Sequence, residues 1–82
     1  MNEREVEIRR FLTDQFLFGE ARPIESDVSL FDQGIVDSTG VLELIHFLEE
    51  RFAIKVQDDE LLPENLDSIG AITAFVDRKL AR

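Results

Sequence analysis

A chain of 82 residues, 44% of them hydrophobic, can bury one small core, so a single domain over 1–82 is expected. With 18 acids against 9 lysines and arginines, the formal net charge of -9 repels nucleic-acid phosphates and anionic membrane surfaces, and argues for protein partners with basic patches. There is no cysteine, which excludes disulfides and cysteine metal sites and requires any thiol chemistry to come from an attached group.

No apolar run approaches the ~20 residues that span a bilayer. Met1-Asn2-Glu3-Arg4-Glu5 lacks the basic-then-apolar order of a secretory signal, so a cytoplasmic monomer without membrane contact is expected. In chain order the spacing predicts a first helix over 3–18, with Asn2 as cap, acids in its opening turns and Gly19 as stop. Its core positions are Ile8, Phe11, Leu12 and Phe16. Residues 20–36 then form a long connection marked by Pro23 and Gly34, with Ile24, Val28, Leu30, Phe31 and Ile35 as apolar anchors and a helical turn near Leu30.

The run Val36-Asp37-Ser38-Thr39-Gly40 opens a second helix over 41–52. Val41, Leu44, Ile45, Leu48 and Phe52 make its core stripe, Phe47 flanks that stripe, and Leu42, Glu43, His46, Glu49 and Glu50 lie outside it. Asp58 to Leu62 reads as a short third helix stopped by Pro63; its acids do not have the spacing of a calcium-binding loop, and no metal site is assigned, although a weak divalent-ion site stays open. The last helix, over 68–80, is capped by Asp67 and Ser68 and turns Ile69, Ile72, Phe75, Val76 and Leu80 to the core. The result is an all-α fold, a small four-helix bundle of three longer helices and one short, with a long first loop.

Ser38 is the residue around which chemistry can be argued. At a helix start, unpaired backbone N–H groups and the positive end of the helix dipole favour an attached anion such as a phosphodiester. The only histidine, His46, is eight residues further along the same helix, about 12 Å of rise, so a serine nucleophile activated within this chain is excluded and no enzyme activity is expected. Capping alone would also explain Asp37-Ser38. A second copy, Leu66-Asp67-Ser68-Ile69, is followed by a basic rather than an acidic helix, and is read as structural.

Asp37-Ser38 followed by an acidic amphipathic helix, together with Leu30-Phe31-Asp32-Gln33-Gly34 ahead of it, resembles the acyl carrier proteins and their aminoacyl and D-alanyl relatives. The resemblance implies 4′-phosphopantetheine, donated by coenzyme A, on Ser38, with Asp37 as its motif partner. It also implies that Thr39, Leu42, Glu43, His46, Glu49 and Glu50 meet partner enzymes: a phosphopantetheinyl transferase, and enzymes that load or transfer acyl or aminoacyl groups held as thioesters. Thr39 stands where an apolar residue usually follows the serine, and Gly40 stands where fatty-acid carriers often have an acid. Phe47 stands where carriers of long acyl chains tend to have a smaller residue. A non-carrier helical module that docks through its acidic second helix is the alternative.

Overall fold

The computed structural model describes residues 3–17 and 24–81, so the expected cap Asn2 and stop Gly19 lie outside the described residues. Four helices follow in order: α1 (Glu3–Phe16), α2 (Gly40–Phe52), α3 (Pro63–Leu66) and α4 (Ile69–Leu80), with a 3-10 turn at Asp58–Glu60 before α3. No strand occurs among the described residues, and no helix there is long and apolar enough to cross a membrane.

The predicted stripes meet in one core. Ile8 and Leu12 of α1, Leu44 and Leu48 of α2, and Ile69, Ile72 and Val76 of α4 are fully buried, with Leu30 from the loop among them. Phe11 and Phe16 are only half-buried, because they serve a different seam. Phe16 meets Phe11 edge-on at 5.9 Å, Phe11 stacks on Phe47 at 4.1 Å and 9°, and Phe47 meets Phe52 edge-on at 6.0 Å. This aromatic ladder fastens α1 to α2, and beyond it Arg51 pairs with Glu7. Aromatic pairs in these geometries add about 0.5–1.5 kcal/mol each beyond the area they bury.

The long connection is pinned at both sides. Arg9 on α1 donates to the Ile24 carbonyl and to Ser26 Oγ, while Glu5 accepts from Arg9 and from the Ser26 hydroxyl. The Arg9 guanidinium, and next the Ser26 hydroxyl, hold the Glu5 carboxyl below the ordinary carboxylate value. At the other side Asp67 receives Ser29 Oγ at 2.5 Å and Phe31 N at 3.0 Å on its carboxylate, and Leu30 N at 2.7 Å on its carbonyl. The turn near Leu30 closes through Gln33 N to Ser29 O and ends at Gly34, whose φ of +70° suits a residue without Cβ.

Three sequence expectations are corrected. Pro63 does not stop a helix but starts one: it occupies the first position of α3, where its missing N–H costs nothing, and the acids before it form the 3-10 turn. Ser68 alone caps α4, accepting from Ala71 N at 3.1 Å, because the Asp67 carboxylate is spent on the loop. Leu80, expected in the core, is 39% exposed at the end of α4, while Thr73 is buried in its place on that helix and donates to the Ile69 carbonyl at 2.8 Å.

Candidate functional site

Ser38 is exposed in a turn that belongs to α2 in all but its regular bonding. Asp37 Oδ1 accepts from Gly40 N at 2.6 Å and Asp37 O from Val41 N at 3.0 Å, which is the bonding of an N-cap residue three positions ahead of the first acceptor-satisfied amide. Thr39 already has helical angles, and its own side chain caps nothing. Asp37 therefore fixes the turn, and Ser38 stands in its first position with the hydroxyl side open.

Gly40 explains why an acid is missing here. A Cβ on this residue would lie 2.7 Å from Phe16 Cε1 and 3.2 Å from Asp37 Oδ1, so the bare backbone admits the Phe16 ring against the turn that carries the serine. A side chain would have to displace either the ring or the cap. The sequence offered one signal, a glycine at a helix start where propensity disfavours it, but its partner is 24 positions away.

Leu42, 65% exposed, forms a ridge with a different surface on each side. Toward α3 lies an apolar groove of about 200 Å³ whose walls include Phe31, Ile45, Leu61 and Leu62. Phe31, expected as a loop anchor, is 40% exposed here and belongs to this wall rather than to the core. Toward α1 lies a depression bordered by Phe11, Gln15, Glu43, His46, Phe47 and Glu50. Four of the residues read as a partner face, Leu42, Glu43, His46 and Glu50, thus come together on the α1 side. Thr39 is exposed beside the serine. Glu49 does not join them, because its Oε2 accepts from Val56 N at 2.9 Å and secures the chain leaving α2.

Among the described residues no group of three or more His, Cys, Asp and Glu is placed to hold a metal ion. Glu60, in the acidic run, is engaged by Gln57 N at 2.8 Å and by Lys79 Nζ at 2.9 Å.

The phosphopantetheine attachment site family matches residues 17–76. The chain is 31% identical to the probable acyl carrier protein PigG of a Serratia species over 82% of this chain and 77% of that one. It is 32% identical to D-alanyl carrier protein 1 of Lactiplantibacillus plantarum over 94% of both. Its fold matches the solution NMR structure of a holo acyl carrier protein from Nitrosomonas europaea over the whole of both chains, with a TM-score of 0.81 at 30% identity.

Proposed function

The chain belongs to the family of phosphopantetheine-bearing carrier proteins, and from that premise we propose that Ser38 is the residue that carries the arm. The observation behind the assignment is geometric. Ser38 is the serine that combines exposure, a turn held by Asp37 and the start of a 13-residue helix, whereas Ser68 is engaged in capping α4.

The residues fit a phosphodiester. Ser38 lies at the N-terminal, positive end of α2, and its exposure leaves room for a bulky substituent. When attached, 4′-phosphopantetheine supplies a terminal thiol on which acyl or aminoacyl groups are held as thioesters. The chain's own contribution is to hold and present: Asp37 fixes the turn, Gly40 and Phe16 brace it, and the groove bordered by Leu42, Leu61 and Leu62 offers apolar surface beside it. Catalysis belongs to the partners, namely the transferase that attaches the arm and the enzymes that load and unload it. With coenzyme A as the arm's donor, the working compartment is the cytoplasm, and residues 1–82 act as one carrier domain. Nothing observed favours a non-carrier module over this reading.

Intact mass after incubation with coenzyme A, Mg²⁺ and a phosphopantetheinyl transferase tests the assignment. Wild type and Ser68→Ala should gain the arm and Ser38→Ala should not; an arm on Ser38→Ala would overturn it.

A further inference from the structure

The apolar groove beside the serine turn has one wall from the loop, Phe31, and another from the chain that enters and forms α3, Leu61, Leu62 and Leu66. Leu66 roots α3 in the core, and α3, a single turn, packs chiefly on α4. Phe31, Leu61 and Leu62 are 40%, 44% and 41% exposed, so the span between the walls is set by the backbone beneath them rather than by burial. That backbone meets at Asp67. Its N–H closes α3 on the Pro63 carbonyl at 2.9 Å, and its carbonyl accepts from Leu30 N at 2.7 Å. Its carboxylate accepts from Phe31 N at 3.0 Å and from the Ser29 hydroxyl at 2.5 Å. Ser29 Oγ in turn accepts from Asp32 N at 3.1 Å, inside the turn that carries Phe31. Three consecutive loop residues thus hang on the residue that ends α3, and hydrogen bonds to a carboxylate are roughly twice as strong as neutral ones.

We propose that Asp67 is a positioning residue of the carrier site: it fixes the span between the Phe31 wall and the α3 wall, and through that span sets the largest acyl group the groove admits. The proposal rests on the carrier reading and adds to it a determinant of cargo size. Val41 and Leu42 carry α2 from the serine turn directly into the groove, so an acyl group on an arm at Ser38 meets this surface when the arm folds back. At about 200 Å³ the groove is smaller than the ~300–1,000 Å³ of pockets that enclose drug-sized ligands, which suits a short acyl group and leaves most of a long one outside. Asp67 touches no cargo; it acts through Phe31 and α3.

A phosphopantetheinyl transferase supplied with butyryl-, octanoyl- or dodecanoyl-coenzyme A delivers arm and cargo to the apo protein in one step, so no loading enzyme enters the test. The control is Ser68→Ala, which removes the neighbouring helix cap and leaves the Asp67 bonds in place. In wild type and Ser68→Ala, lengthening the chain from butyryl to dodecanoyl should add little to Tm or to the amide shifts of Phe31, Leu61 and Leu62. In Asp67→Ala both should grow with chain length, to about twice the butyryl effect or more, because a group that binds the fold stabilises it. Asp67→Asn keeps one oxygen for Phe31 N and should restore most of the wild-type behaviour. Ser29→Ala removes only the hydroxyl link and should show the Asp67→Ala response in weaker form, which keeps the test decisive if Asp67→Ala does not fold. Equal responses in Asp67→Ala and Ser68→Ala, or a wild type that itself gains with chain length, would overturn the proposal. Hydrogen exchange on apo protein gives a second measurement that needs no arm. The Phe31 amide should exchange about ten-fold faster or more in Asp67→Ala than in Ser68→Ala, and equal rates would show that Asp67 does not hold the wall. Failure of wild type to accept any arm is a different result, which strikes the carrier reading itself.

Discussion

At Gly40 two local forces oppose each other, and packing decides. Alanine is preferred to glycine inside a helix by about 0.8–1.0 kcal/mol, so Gly40→Ala would stabilise α2 if propensity ruled. The Cβ would however sit 2.7 Å from the Phe16 ring and crowd the Asp37 carboxylate that caps the turn. Overpacking of this kind costs roughly 1–3 kcal/mol, so the net change is expected to be destabilising by thermal or denaturant unfolding. Shortening the obstacle should reverse the sign: in a Phe16→Leu background, Gly40→Ala should cost less than in wild type, and a double-mutant cycle without coupling would show that the ring and the turn do not meet. The two Asp-Ser pairs separate in the same terms. Ser68→Ala removes the acceptor for Ala71 N and should cost about 0.5–2 kcal/mol without touching modification, while Ser38→Ala removes an exposed hydroxyl and should leave stability nearly unchanged.

Among the elements, the 3-10 turn at Asp58–Glu60 carries the clearest pH dependence. The Gln57 backbone N–H, and after it the Lys79 ammonium, hold the Glu60 carboxyl below its ordinary value of 4.5. A carboxylate lowered on folding contributes stability that is fully present above 4.5 and is lost as pH falls through the lower folded value. Glu60→Gln should therefore destabilise the turn and its tie to α4 at neutral pH, and the difference from wild type should shrink on acidification below 4.5; a difference independent of pH would rule out the carboxylate's charge as its source. This turn also shows what the sequence could and could not disclose. Helical periodicity alone identifies α1, α2 and α4 and nearly all their buried positions, because a stripe of Ile8 and Leu12, or of Ile72 and Val76, is a local property of the chain. Proline is ambiguous locally, since the residue that cannot continue one helix can open the next, and only the bonding of Asn65 N and Leu66 N to the Leu62 carbonyl resolves Pro63 as a start. Ser38 and Asp37 were legible as a helix-start motif. The Phe16–Gly40 contact, the Asp67 clamp on the loop and the loss of Glu49 to Val56 N were not, because each depends on where a distant or irregular segment comes to rest.

Over the whole molecule, charge works against compactness, and the balance between repulsion and pairing can be read from salt. The described bundle measures 35 × 27 × 21 Å, and its chain carries 18 acids against 9 lysines and arginines. At 0.01 M salt the screening length is about 30 Å, so almost every pair of acids interacts across the fold; at 0.1 M it is about 10 Å and only neighbours do. The ion pairs pull the other way, since salt weakens them too. They are short contacts at partly exposed positions such as Arg4–Asp77, each contributing about 0–1 kcal/mol, and much of that survives because the partners touch. Repulsion is the longer-ranged term and is the more completely removed by salt. Raising NaCl from about 10 mM to about 0.5 M should therefore stabilise the fold, and a gain of ~1 kcal/mol corresponds to a rise of about 4–8 °C in Tm for a domain of this size. Glu50→Gln, which removes one exposed acid that no described cation offsets, should raise Tm at low salt and reduce the salt response. A Tm that falls with added salt would mean that the ion pairs joining α1 to α4 and α2 outweigh self-repulsion, and that the acidic face exposed to partners is held at no cost to the fold.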